Sequence, residues 1–117
     1  MIVVDGMNIV ISYGDTFLVT FNIGGYLLTT TDSIKLSIKE RIDSPSVLYE
    51  KVVTGVTGSA VTIEIDSATF MAAVGKGNKV YDLLLSYGDV NPETQKQSTL
   101  NLPAKLIVKD VVHNGGY

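Results

Sequence analysis

Short apolar runs separated by turn residues recur along the whole chain. The clearest is residues 34–39, where Ile34, Leu36 and Ile38 alternate with polar residues. A period of two places successive side chains on opposite faces, which is typical of a strand with one face in a core. The same reasoning predicts strands at residues 2–4, 7–11, 17–23, 47–53, 61–65, 79–87 and 100–108.

Turn residues indicate where these strands end. The Asp5-Gly6 pair supplies the positive φ of a type I′ turn and predicts a small hairpin within residues 2–11. Residues 88–97 are polar and contain a proline, so we expect a loop there. Pro103 lies inside the last apolar run and lacks a backbone N–H, which predicts an edge position or a bulge at that point.

One segment has helical rather than strand spacing. Apolar side chains three or four positions apart predict a short helix near residues 67–74. Asp66 or Ser67 can cap its start, and Gly75 can end it. About two helical turns are too few to be stable alone, so we expect the helix to pack on a sheet.

About seven short strands and one short helix indicate an all-β fold, interpreted as an immunoglobulin-like two-sheet β-sandwich. A closed barrel is the alternative, because the sequence alone does not say which strands pair. Of the 117 residues, 36 are Val, Ile or Thr, whose branched side chains favour strands. This length predicts a single domain over residues 1–117, with residues 1–6 as an N-terminal arm and residues 113–117 as a loose tail.

Charge and composition exclude several classes of partner. Nine Lys and Arg against twelve Asp and Glu give a formal net charge of −3, whereas nucleic acids and anionic membranes attract basic surfaces. No apolar run approaches the ~20 residues of a membrane span, and the apolar start is too short for a signal peptide. We therefore expect a soluble protein that binds neither nucleic acid nor membrane. The absence of cysteine excludes disulfides and thiol chemistry.

Few residues in the chain have the chemistry of catalysis. The single histidine, His113, lies four residues from the end, where a firmly held Ser-His-Asp triad is hard to mount. The acids that would supply a carboxylate pair for glycoside hydrolysis are Glu40, Glu50, Glu64, Asp66 and Asp82. Most of them alternate with apolar residues and are assigned to a solvated outer face. Asp82 has apolar neighbours on both sides and is assigned a turn cap or an ion pair with a lysine across the sheet. We expect no enzymatic activity.

The other candidates for ligand chemistry are turn acids, glycines and tyrosines. A calcium site at a loop end would draw on Asp5, Asp15, Asp32 and Asp43. The Gly-Lys-Gly of residues 75–77 lacks the spacing of a phosphate loop. The tyrosines that could stack on a sugar, or pack across strands, are Tyr26, Tyr49, Tyr81 and Tyr87. A structural role is the favoured interpretation for each of these residues, and no cofactor is expected.

In the predicted N-terminal strands, the residues that would point to either face are apolar. The apolar residues in question are Ile2, Val3, Val4, Ile9, Val10 and Ile11. A strand that is apolar on both faces needs cover on both, and an open edge of this kind pairs readily with another chain. We hypothesise that this arm adds to the sheet of a neighbouring subunit, which makes these six residues a candidate interface. The alternative is that the arm folds back on its own sandwich.

Four segments, taken in order, resemble the N-terminal β domain of phage baseplate upper proteins and related small tailed-phage structural proteins of Gram-positive hosts. The first is residues 11–17, ISYGDTF, and the second is the alternating strand 34–39, IKLSIK. The third is residues 70–77, FMAAVGKG, followed by the Tyr-Asp-hydrophobic strand at 79–85, KVYDLLL. The fourth is the closing strand at 106–112, LIVKDVV. Together they cover about residues 7–112.

This resemblance implies a phage or prophage virion component that is assembled in the host cytoplasm. It carries over no catalytic residues. The function that we expect is that of a non-enzymatic tail or baseplate module that contacts other phage structural subunits, itself included, as a homo-oligomer or part of a larger assembly. The alternative is a carbohydrate-binding module at a tail tip or cell surface, which would need aromatic side chains exposed along one face, such as that of Tyr81 and Tyr87.

Overall fold

The computed structural model describes residues 8–88, 95–100 and 104–110 in full and residues 2–5 by their backbone. These residues form nine strands and one helix. The strands are β1 (Ile2–Asp5), β2 (Asn8–Ser12), β3 (Phe17–Asn22), β4 (Ser33–Lys39), β5 (Tyr49–Thr54), β6 (Ala60–Ile65), β7 (Gly77–Tyr87), β8 (Lys96–Thr99) and β9 (Ala104–Lys109). The helix, α1 (Ser67–Ala73), lies between β6 and β7.

The strands form two separate sheets, as predicted. The large sheet has the order β1-β2-β9-β7-β4-β5, with β8 also paired to β7, and the small sheet is β3-β6. All neighbouring pairs are antiparallel except β2 and β9, which run parallel. The small sheet, β3 with β6, faces the large sheet as the second layer of a sandwich. The fold is therefore an all-β sandwich, and no described strand pair closes it into a barrel.

The core lies between the two sheets. In the large sheet, register brings buried side chains side by side on the inner face: Ile34 beside Leu85, and Ile38 beside Tyr81. Phe17 of β3 lies opposite Ile65 of β6 and is fully buried. Because burying each such side chain contributes about 1.5–3 kcal/mol, the apolar interior supplies most of the driving force for folding.

Helix α1 closes one end of the sandwich, and its predicted start is confirmed. The Asp66 carboxylate accepts hydrogen bonds from the backbone N and the hydroxyl of Thr69, at 3.0 and 2.8 Å. These two bonds hold the pKa of Asp66 below its ordinary value. Phe70 stacks on Phe17 with ring centroids 5.4 Å apart, so tertiary packing stabilises a helix too short to be stable alone. Gly75, with φ of 73°, follows the C-cap as predicted.

The region after β7 differs from the prediction. Lys96 and Gln97 belong to strand β8 rather than to a loop. The strand expected at residues 100–108 corresponds to β9, which begins at Ala104, and both β8 and β9 pair with the same edge of β7. Between the paired positions Thr99–Leu84 and Ala104–Tyr81, this segment advances five residues while β7 advances three. Pro103, where the sequence predicts an edge position or a bulge, lies outside the described residues. β8 is polar and fully exposed, so it carries no apolar alternation from which it could have been predicted.

The N-terminal hairpin forms with Asp5 paired to Asn8, and β1 is the end strand of the large sheet. The predicted turn residue Gly6 lies outside the described residues, as does the tail at 113–117. Within the described ranges, no helix has the length and apolar content needed to cross a bilayer.

Candidate functional site

The large sheet has a covered face and an open face. Its inner face packs on β3 and β6, whereas the alternating side chains of β4 and β7 point away from the core. We call this second surface the outer face. Its outward side chains in the middle of β7, those of Val80, Asp82, Leu84 and Ser86, are half-buried. In the part of the chain that the structure describes, no second sheet packs on this face, so its side chains are available for contacts with other molecules.

A groove of about 400 Å³ lies on the outer face, where the segment after β4 approaches β7 and β9. Its apolar lining comes from Ile42, Val80 and Ile107, and we call it the outer-face groove. Ile42 is 65% exposed although it is a large aliphatic residue. A concave, mostly apolar surface with a few polar groups is a feature of binding sites.

Three cations and one carboxylate also line this groove: Arg41, Lys79, Lys105 and Glu40. Lys79 donates to both carboxylate oxygens of Glu40, at 3.1 and 2.9 Å, and its side chain is only 8% exposed. This pair is neutral as a unit. Arg41 Nε lies 3.5 Å from a carboxylate oxygen of Asp43, but both side chains are more than 75% exposed, so water weakens the pair. Arg41 and Lys105 therefore leave a positive rim on a chain whose net charge is −3.

The small sheet has an outer surface of opposite character. Leu18 is 51% exposed and lies directly opposite the exposed Glu64 across the β3–β6 ladder. In the next outward row, the hydroxyls of Thr20 and Thr62 share a hydrogen bond of 2.7 Å. We call this surface the small-sheet face. It presents one exposed aliphatic side chain beside a carboxylate on a flat polar ladder.

Asp82 lies in the middle of β7 on the outer face, so it does not cap a turn. It pairs across the sheet with Ser37 and lines a small cavity of about 60 Å³ together with Lys39 and Ile42. Lys39 Nζ donates to the backbone oxygen of Ser44 at 3.2 Å. Among the described residues, Asp82 forms no ion pair within 4.0 Å, so the predicted lysine partner is not in place.

The candidate interface residues of the N-terminal arm divide between two environments. Ile9 and Ile11 are fully buried in the core of this chain, and Val10 is half-buried on the outer face. Ile2, Val3 and Val4 belong to β1, which pairs with β2 through its inner edge. The backbone of the arm therefore folds onto the sheet of its own chain, and the outer edge of β1 pairs with none of the other described strands.

The tyrosines also divide between core and surface. Tyr81 is 2% exposed and contacts Phe21 with ring centroids 6.0 Å apart, so the strand face carrying Tyr81 is inside the sandwich. Tyr26 and Tyr87 meet at 5.1 Å and line a groove of about 240 Å³ at the other end of β7. The remaining lining of this loop-end groove is Ile23, Gly24, Gly25, Leu85, Ser98 and Leu100.

Behind the loop-end groove, Asp32 organises the connection between β3 and β4. Its side chain accepts from the Tyr26 hydroxyl and from the Thr29 backbone N, both at 2.8 Å, although the residue is only 3% exposed. Burial would raise the pKa of Asp32, but hydrogen bonds from Thr29, Tyr26 and the Gly88 backbone outweigh it and lower the pKa. The same contact with Asp32 is the main reason that the pKa of Tyr26 is raised. This network orients Tyr26 rather than exposing a reactive acid.

The other predicted acids are dispersed. Glu50 and Glu64 are exposed on the outer surfaces of the two sheets, as expected, and Asp66 caps α1. Within the described ranges, no three side chains of the His, Cys, Asp and Glu types come together as a metal site. His113 lies outside the described residues.

The outer-face groove was missed at the sequence level. Its residues come from three segments that are distant in sequence, and only their register brings Val80 beside Lys105. The one local signal is Ile42, an aliphatic residue alone between Arg41 and Asp43 in a turn-rich segment.

Comparison with known proteins adds no assignment: no protein-family model and no curated protein matches the chain.

Proposed function

We propose that this chain is a non-enzymatic structural module of a phage tail or baseplate, which works by contacts between subunits. The order of four sequence segments, from residues 11–17 to 106–112, supports the phage assignment. The observation that carries the assembly role is the position of β1. It is the end strand of the large sheet and hydrogen-bonds, among the described strands, only to β2.

An end strand offers a row of backbone donors and acceptors to another chain. Four residues of β1 are extended and held in register by β2, so a partner strand would meet an already ordered edge. Backbone pairing at such an edge supplies affinity. This mode of contact requires no pocket, metal or catalytic group.

Mass spectrometry of particles purified after prophage induction of the source strain tests the proposal. We expect peptides of this chain at a stoichiometry comparable to that of the other tail proteins. Absence from intact particles that contain the other tail proteins would overturn the phage assignment.

A truncation tests the role of β1 in the same particles. Removal of residues 1–6 should abolish incorporation, because it removes the pairing edge. The matched control is Val3→Thr, which keeps the backbone edge and a β-branched side chain and should incorporate normally. Normal incorporation of the truncated chain would show that β1 is not the contact.

A second function, carbohydrate binding, is supported by the loop-end groove. Tyr26 and Tyr87 there supply aromatic surface, and the backbone of Gly24 and Gly25 lines the same groove. Binding on a glycan array that Tyr87→Ala abolishes and Tyr49→Ala retains would favour this function. No binding by the unmodified chain would remove it.

A further inference from the structure

We propose that the outer-face groove of one molecule receives the small-sheet face of a second copy, so that the chain assembles head to tail. The proposal rests on the assembly role proposed above and names a second copy of this chain as one partner. Its two surfaces lie on opposite sheets of the sandwich and share no residue.

The groove is suited to an aliphatic side chain that stands beside a carboxylate. Val80 and Ile107 offer half-buried apolar surface, and the 65% exposed Ile42 offers more. Arg41 and Lys105 supply the positive rim, since the charge of Lys79 is already met by Glu40 at 2.9 Å. A carboxylate entering here would meet Lys105 and would compete with the exposed Asp43 for Arg41.

The small-sheet face carries that combination. Leu18 is exposed and directly opposite Glu64, and the Asp66 carboxylate follows two residues further along. Asp66 is engaged by Thr69 at the start of α1, and Glu64 is the carboxylate directly opposite Leu18. The hydroxyls of Thr20 and Thr62 hydrogen-bond to each other, so one of the two hydroxyl donors in the row beside Leu18 is already paired within the chain.

Charge also argues against the symmetric alternatives. Two grooves facing each other would bring Arg41 and Lys105 of one molecule against the same cations of the other. Two small-sheet faces would oppose Glu64 to Glu64. Only the pairing of groove with small-sheet face brings opposite charges together.

Such an interface is heterologous, so each added molecule leaves one groove and one small-sheet face unpaired. Repetition therefore produces a closed ring or an open chain rather than a dimer that stops growing. With one aliphatic anchor and solvent-exposed charges, the contact belongs to the small, weak class of interfaces. We therefore expect association at high chain concentration, and we expect it to weaken as salt screens the rim.

Sedimentation velocity on the purified full chain, over a concentration series, tests the proposal. We expect the unmodified protein to shift from monomer to larger species as its concentration rises. Glu64→Lys and Lys105→Glu should each remain monomeric, because each places like charges across the interface. Lys96→Glu, on exposed strand β8 away from both surfaces, is the matched control and should associate normally.

Mixing the two monomeric variants is the decisive arm. In the mixture, the unmodified groove of the Glu64→Lys variant can bind the unmodified small-sheet face of the Lys105→Glu variant. The altered groove of the Lys105→Glu variant can bind the altered small-sheet face of the Glu64→Lys variant, because their charges are again opposite. Larger species should return at about the concentration needed by the unmodified chain. A strictly monomeric unmodified protein, or a mixture that stays monomeric, would overturn the proposal. Detection of the chain in phage particles would in that case leave the proposed function standing with other subunits as partners.

Discussion

The two faces of strand β7 show how one alternating sequence serves two purposes. Tyr81, Leu83 and Leu85 point between the sheets and are each 2% exposed. Val80 and Leu84, equally apolar in kind, point outward and stay half-buried. The difference comes from the small sheet, which covers only the inner face. Inner residues therefore determine stability, and outer residues can change without unfolding the chain.

The largest expected effect separates neighbouring residues of β3. Phe17→Ala removes a fully buried ring stacked on Phe70 and should lower the free energy of unfolding by about 3–5 kcal/mol. Leu18→Ala, one residue further along on the exposed side, should change it by less than about 0.5 kcal/mol. Urea unfolding of both variants measures the difference. Equal losses would contradict the division between inner and outer positions.

The next effect concerns the ion pair at the edge of the groove. Glu40→Gln leaves the buried Lys79 ammonium without its counter-charge and should cost about 2 kcal/mol, less than a fully buried pair because Glu40 is 51% exposed. Adding Lys79→Met removes the stranded charge and should recover most of the loss. The control is Glu50→Gln, whose exposed partner Lys35 is 3.9 Å away and which should cost less than about 0.5 kcal/mol. No recovery in the double variant would show that the stability lost in Glu40→Gln comes from packing rather than from charge.

A smaller effect is expected in the connection between β3 and β4. Asp32→Asn weakens the acceptor used by the Tyr26 hydroxyl and the Thr29 backbone, and should cost about 1–2 kcal/mol at neutral pH. Because the pKa of Asp32 is lowered by folding, its contribution is present above the unfolded value near 3.8 and is lost as pH falls through the lower folded value. Urea unfolding from pH 6 to pH 2 should therefore show that the free energy of unfolding decreases less with falling pH in Asp32→Asn than in the unmodified chain. The exposed Asp43→Asn, as control, should match the unmodified chain at neutral pH.

The smallest effect is confined to alkaline solution. Burial raises the pKa of Tyr81 to about 12, whereas the ordinary value is 10.0. Between these values the unfolded chain loses the phenolic proton and the folded chain retains it, so stability falls as pH rises. Tyr81→Phe should reduce this fall while changing stability at neutral pH by about 1 kcal/mol or less. Thermal unfolding at a series of alkaline pH values measures this fall. An equal fall in Tyr81→Phe and in the unmodified chain would contradict the assignment of Tyr81 to the interior.

Much of the fold follows from local chemistry. The alternation in residues 34–39, the Asp66 cap and the stop at Gly75 each depend on neighbours a few residues away, and the structure confirms all three. The polar strand β8 was not predictable in this way. Its four residues are exposed and are held as a strand by pairing with β7, which lies at least nine residues away in sequence.

The candidate surfaces were less accessible to sequence reasoning. Ile9 and Ile11 were grouped with the interface because they are apolar, yet they fill the core. Glu40 and Lys79 are 39 residues apart, and nothing local marks them as partners. The exposed Leu18 lies between the buried Phe17 and Val19, and only its position on the outward side of β3 distinguishes it from them.

The sequence by itself determined the class of structure, since branched side chains, a period of two and frequent turns together favour short strands in two layers. It also determined where the single helix begins, because an N-cap acts within one turn. Only the tertiary structure decided which strands pair, which face of β7 is covered, and that Arg41, Lys105 and Ile107 lie around one groove. The physical reason is range: turns and caps act between near neighbours, whereas register and sheet packing join residues that are distant along the chain.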